Sequence, residues 1–245
     1  DIYLSDLAEK YNIKKDLVER LHILEDFEIV ILCDDSGSMN SQIDGTEKTR
    51  WQELKEIVKI VLEVATVFDE NGVNVYFIHR RPVFDVTDPK MVDQHFIEDP
   101  QGYGSLVPLL QVIFQLPASK VGNDKKLLVF IATDGSTTDE TNEFALSPLE
   151  KVMREERVSD TTHVMFLLCN NDSKSIEYFS QWDENMKNVD VTRSYKTEKE
   201  IICRYRGRDY PFSFGDYVVK ALLGAVDPDI DALNEPDVDC DNDAQ

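Results

Sequence analysis

The stretch Phe27 to Asn40, FEIVILCDDSGSMN, decides how the whole chain is read. Its first half, Phe27 to Cys33, is almost wholly apolar, as a strand covered on both faces has to be. Its second half sets out two aspartates and two serines around a glycine as soon as the strand ends. Two explanations compete. Asp, Ser and Gly are common in tight turns, because their side chains bond the local backbone or impose no steric limit on it. The same residues also suit a cup of oxygens for a hard cation, which favours hydroxyls and carboxylates over thiols and imidazoles. Asp34, Ser36 and Ser38 stand at alternate positions, so on a loop leaving an extended strand they can turn to one side. Gly37 leaves the backbone free to bend around an ion.

Downstream, strand and helix patterns alternate. The segment RWQELKEIVKIVLEVATVF, 50–68, puts Leu54, Val58, Val61, Leu62, Ala65 and Phe68 on one helical face. VNVYFIH (73–79), KKLLVFIATD (125–134) and THVMFLLCN (162–170) read as further strands, and VDVTRSY (189–195) as a last or edge strand. Helical patterns occur at SLVPLLQVIFQL (105–116), SPLEKVMREERV (147–158), SIEYFSQWDENM (175–186) and FGDYVVKALLGAV (214–226). HRRPVFDVTDP (79–89) fits either a loop or a short edge strand. This alternation predicts an α/β domain, a doubly wound, mostly parallel central sheet with helices on both faces. Ligands of such sheets bind beyond the carboxyl ends of the strands. Two of those ends are rich in oxygen, DDSGSM after the first strand and TDGSTTDE, 133–140, after a later one. PQGYGSL, 100–106, precedes a helix and can reach the same rim.

The flanks read differently. Residues 1–26 carry two short helical stripes, broken near Asn12, and are expected to form a helical arm packed on the domain at 27–226. A helix-turn-helix is the alternative, but Lys10, Lys14, Lys15 and Arg20 are interleaved with acids and do not form a phosphate-binding face. Residues 227–245 hold eight acids and no base, which reads as a solvated, disordered tail. Its Asp237, Asp239 and Asp241 have the spacing of a calcium loop, without the required glycine.

The chain of 245 residues has 48 acids against 26 bases, a net charge of −22. That excess argues against nucleic acid, which needs clustered Lys and Arg, and against an anionic membrane surface. No apolar stretch reaches the roughly 20 residues of a membrane span. Cys33, Cys169, Cys203 and Cys240 have no zinc spacing, and the first two sit in apolar runs as core residues. His22, His79, His95 and His163 are scattered and read as structural. The cysteines, the acidic tail and the lack of a signal-like opening favour an intracellular setting, against which stands one sequon at Asn171-Asp172-Ser173.

D-x-S-x-S at the end of a first apolar strand resembles the metal-ion-dependent adhesion site of von Willebrand factor A (vWA) domains. GYGSLVPLL supplies Ser105, where the family usually has Thr ahead of a helix, and FIATDGST supplies Asp134 in a T-D-G context. The resemblance covers roughly Phe27 to Val226. It implies a Rossmann-like fold and a bound Mg²⁺, with Mn²⁺ or Ca²⁺ as alternatives. Ser36 and Ser38 would ligate the ion through their hydroxyls, Asp34 through water, and Ser105 and Asp134 directly or through water. The sixth position would take a Glu or Asp carboxylate from a partner protein, as in adhesion and adaptor modules. MNSQ after the motif implies no second ion beside the first. Ser105 also fits a plain helix cap, and Asp134-Gly135 a simple turn.

An enzyme is not expected. An Asp after a first strand also occurs in haloacid-dehalogenase-type phosphatases, but the second acid they need is Ser36 here. The chain has no phosphate-binding G-x-x-x-x-G-K-[ST] loop and no G-x-S-x-G elbow. A scaffold domain that uses the fold without metal remains the other alternative.

Overall fold

The computed structural model describes residues 2–136 and 147–235. Six strands form one sheet in the order β3-β2-β1-β4-β5-β6. They are β1 (Phe27–Cys33), β2 (Val73–Phe77), β3 (Val83–Val86), β4 (Lys126–Thr133), β5 (Thr162–Leu168) and β6 (Val189–Thr192). All neighbours run parallel except β2 and β3. The ambiguous 79–89 segment thus holds the antiparallel edge strand, and the strand carrying T-D-G is the fourth in chain order.

Continuous apolar runs make the parallel strands because both faces are covered. Ile29, Ile31 and Cys33 of β1 enter one core layer, packed with Leu54, Val58, Val61, Leu62 and Val218. Val30 and Leu32 enter the other, packed with Leu110, Phe114, Phe179 and Trp182. The first layer is covered by α3 (Arg50–Phe68) and α8 (Phe214–Leu223). The second is covered by α4 (Val107–Ile113), α5 (Pro148–Lys151) and α6 (Ser173–Asn185). A doubly wound sheet is therefore present. Each fully buried Val, Leu, Ile or Phe in these layers contributes roughly 1.5–3 kcal/mol. Cys33 and Cys169 are core residues, and burial pushes both thiols well above their ordinary range.

The first residues form two helices, α1 (Ile2–Tyr11) and α2 (Lys15–Arg20). Leu4, Leu7 and Tyr11 join the first core layer. Tyr11 Oη donates to Glu63 of α3 at 2.5 Å, and Lys10 Nζ reaches the same carboxylate at 2.7 Å.

Three local expectations are corrected. The last strand ends at Thr192, and Ser194 caps a helix, α7 (Tyr195–Arg206), whose dense charge hides its buried face around Ile202. The 147–158 helix changes from α to π geometry at Val152. The segment from Asp227 to Glu235 is packed and not a free tail: Pro228–Asp231 forms a helical turn, α9, with Ile230 buried. Arg20 of α2 pairs with Asp227 at 2.7 Å, and Arg206 donates to Ala232 O at 2.5 Å. Asp237, Asp239, Asp241 and Cys240 lie outside the described residues, as does 137–140 of TDGSTTDE. Among the described residues, no helix is long and apolar enough to cross a membrane.

Candidate functional site

The strand order places β1 between β2 and β4, and the chain leaves β1 toward β2 and β4 toward β5. Connections diverge there, which opens a crevice at the carboxyl ends of β1 and β4. Cys33 pairs in register with Ala132, so Asp34 and Asp134 emerge from adjacent strands. Both are fully buried.

Each carboxylate is held by its own loop. Asp34 Oδ1 accepts Ser36 N–H at 3.0 Å and Ser36 Oγ–H at 2.5 Å. Asp34 Oδ2 accepts the Thr133 hydroxyl at 2.7 Å, and Thr133 Oγ1 in turn accepts Gly135 N–H at 3.1 Å. Asp134 Oδ1 accepts from Ser136 N at 2.9 Å and Ser136 Oγ at 2.7 Å. Its Oδ2 accepts from Arg50 Nη1 at 2.8 Å. The two loops meet where Ser36 Oγ and Ser38 Oγ lie 3.2 Å apart and the Ser38 and Ser136 hydroxyls lie 2.8 Å apart. Burial pushes the Asp34 carboxyl above its ordinary value and the Asp134 charge adds to that, while the Ser36 and Thr133 bonds pull it back.

A third loop closes the crevice. Gly37 N–H donates to Gly102 O at 2.8 Å, and Asn40 Nδ2 to Pro100 O at 2.6 Å. Gly102 has φ +84, a left-handed conformation that side chains resist, and a Cβ on Gly104 would collide with Ile78. Tyr103 between them is fully exposed. Asp35 holds this loop through its backbone O, which accepts Gln101 N–H at 3.2 Å. Its carboxylate accepts His79 N–H at 2.9 Å and Arg80 N–H at 3.2 Å. Arg80 lies 4.8 Å over the Trp51 ring and donates to Glu98 O at 2.8 Å and Asp99 O at 3.1 Å. The result is a cleft of about 470 Å³ lined by Ser36, Gly37, Ser38, Gly102, Tyr103, Gly104 and Ser136.

The structure thus brings Asp34, Ser36, Ser38 and Asp134 together. Ser105 stands apart from the cleft lining, and its hydroxyl accepts Val107 N–H at 3.2 Å at the start of α4. Thr133, Ser136 and Arg50 were not singled out by the sequence. The first two lie within the T-D-G-S run itself. Arg50 has no local signal, because its partner is 84 residues away.

The donor set fits a small hard cation. In an octahedron with bonds near 2.1 Å, adjacent ligands lie about 3.0 Å apart. The 3.2 Å separation of Ser36 Oγ and Ser38 Oγ matches one such edge. Asp34 bonds the Ser36 hydroxyl directly and so can orient it as a ligand.

No family model matches the chain, and no curated protein matches it in sequence. Solved structures with a similar fold include the SpRpn10 VWA domain (TM-score 0.44, 11% identity, covering 69% of this chain and 87% of that one). Another is proximal thread matrix protein 1 from the mussel byssus (TM-score 0.43, 18% identity, covering 82% of this chain and 48% of that one).

Proposed function

We propose that the chain is a divalent-metal-dependent protein-binding module of the vWA kind, taking a Glu or Asp carboxylate from a partner. The observation that carries this reading is the meeting of the Ser36 and Ser38 hydroxyls, 3.2 Å apart, in front of two fully buried carboxylates at the sheet's switch point. Ser36 and Ser38 would hold Mg²⁺ through neutral oxygens, with Asp34 and Asp134 behind them. Mn²⁺ and Ca²⁺ are the other ions that suit these ligands. Ser105 would have to turn from its bond to Val107 N–H to contribute. An ion held mainly by hydroxyls keeps its appetite for an anion, and the open cleft gives a partner's acid access to it. Tyr103, fully exposed at the rim, offers apolar contact beside that acid. The chain's charge of −22 opposes an acidic partner at long range, but salt screens that beyond about 8–10 Å.

A scaffold that uses the fold without metal is the second reading. The Arg50–Asp134 ion pair favours it, since a guanidinium already neutralises one of the two carboxylates. A phosphatase is disfavoured because Asp34 is fully buried and engaged by Ser36 and Thr133, and because Ser36 stands where the second acid would be needed.

Pull-down in Mg²⁺ or Mn²⁺, in chelator, and with Ser36→Ala/Ser38→Ala tests the reading. Capture only by the native chain with metal is expected. Equal capture in every arm would leave the scaffold reading. A screen with a generic aryl phosphate checks the enzyme alternative, with no turnover expected.

A further inference from the structure

A second group of oxygens lies at the β6 edge of the sheet, where α6 ends and β6 begins. Asp183 of α6, Asp231 of α9 and Glu235 each offer a carboxylate oxygen, and the three oxygens lie within 4.8 Å of one another. An acidic cluster alone means little, because exposed carboxylates repel one another and are usually solvated. Two further observations set this one apart.

The first concerns unmet bonding capacity. Asn234 is 8% exposed, and its Oδ1 is buried without a hydrogen-bond partner. It lines the same cleft as Asp183 and Glu235. Asp183 Oδ1 and Asp231 Oδ1 are likewise buried and unpartnered. Buried acceptors almost always find a donor or an ion.

The second is the charge balance. The two buried cations nearby, Lys220 and Arg193, are already engaged, and Arg204 lines the same cleft as an exposed side chain. Lys220, fully buried, lies 3.1 Å from Asp190 Oδ2 and 4.0 Å from Glu198 Oε2. Arg193 lies 3.1 Å from Glu198 Oε1 and also donates to Ser180 Oγ. Among the described residues, Asp183, Asp231 and Glu235 form no ion pair.

We infer that Asp183, Asp231, Glu235 and the Asn234 side-chain oxygen form a second hard-cation site, of calcium class, that fastens the 228–235 segment to the end of α6. Three carboxylates and an amide oxygen in irregular positions suit Ca²⁺, which accepts 6–8 oxygens in flexible geometry, better than Mg²⁺. Arg206 holds the carrying segment by the carbonyls of Ala232 and Leu233, so the loop is placed before any ion arrives.

The test uses CaCl₂ with the full chain, in calorimetry and thermal denaturation. Ser36→Ala/Ser38→Ala silences the first site, so the outcome is independent of the proposed function. This variant should still bind one Ca²⁺ and gain melting temperature from it. Asp183→Asn/Asp231→Asn, added to it, should weaken that binding at least tenfold. Glu235→Gln on the exposed rim gives a version of the test with no buried change. Absence of Ca²⁺ heat in the Ser36→Ala/Ser38→Ala chain would overturn the inference. So would Ca²⁺ binding undiminished by the Asp183, Asp231 and Glu235 substitutions.

Discussion

Replacing Arg50 by Met separates the metal reading from the scaffold reading at a single contact. Arg50 Nη1 donates to Asp134 Oδ2 at 2.8 Å, and the carboxylate is fully buried while the Arg side chain is 22% exposed. A hydrogen bond to a charged partner contributes roughly 1.5–3 kcal/mol. A divalent ion draws on the same carboxylate charge, so it gains what the guanidinium no longer takes. At 1.4 kcal/mol per factor of ten, Mg²⁺ should bind at least about tenfold more tightly to Arg50→Met. The opposing effect, loss of carboxylate orientation, is small, because Ser136 N and Oγ still hold Asp134 Oδ1 at 2.9 and 2.7 Å. Without metal the variant should melt lower, since a buried carboxylate has lost its cation. Calorimetric Mg²⁺ titration gives the affinity, and melting curves with and without Mg²⁺ give the linkage. A larger Mg²⁺-induced rise in Tm is expected. Unchanged or weaker Mg²⁺ affinity in Arg50→Met would refute the reasoning.

Other outcomes follow from the same geometry. Thr133→Val removes the hydroxyl that bridges Asp34 and Gly135 at nearly constant volume, and should weaken Mg²⁺ binding about 10–100-fold while the fold persists by circular dichroism. Lys220→Met strands Asp190 in the core, while Glu198 keeps Arg193, and should cost about 3–5 kcal/mol in urea unfolding; a loss below about 1 kcal/mol would contradict the buried network. His163 bonds Ala225 O at 2.7 Å through Nδ1, and its burial lowers its pKa from 6.5. The folded state thus resists a proton that the unfolded chain accepts, so this contribution is full above pH 6.5 and is lost as pH falls through the lower folded value. Relative to His163→Gln, the native chain should lose at most about 1.4 kcal/mol per pH unit in that window, and identical pH profiles would exclude the assignment.

The parallel strands were legible because burial on both faces leaves unbroken apolar runs, as in FEIVILC and KLLVFIAT. The placement of Asp34 and Asp134 at neighbouring strand ends was legible because the apolar runs stop just before them. The edge strand Val83–Val86 was not, since one neighbour and partial exposure leave a mixed pattern. The α7 helix was hidden for a related reason: Glu198 faces the core but reads as a surface charge until Arg193 is seen beside it. Lys220 likewise lies within an apolar helix, and its meaning depends on Asp190, 30 residues earlier. Ser105 shows the reverse limit. Its place in the pattern suggests a ligand, while its hydroxyl, one residue ahead of Leu106, the N-cap of α4, bonds Val107 N–H.

A crystal soaked in Mn²⁺ and measured for anomalous scattering tests the central claim most directly. The account predicts a peak in coordination range of both Ser36 Oγ and Ser38 Oγ, with Asp34 and Asp134 behind it, and loss of that peak in Ser36→Ala/Ser38→Ala. Saturating Mn²⁺ with no peak between those two hydroxyls would contradict it.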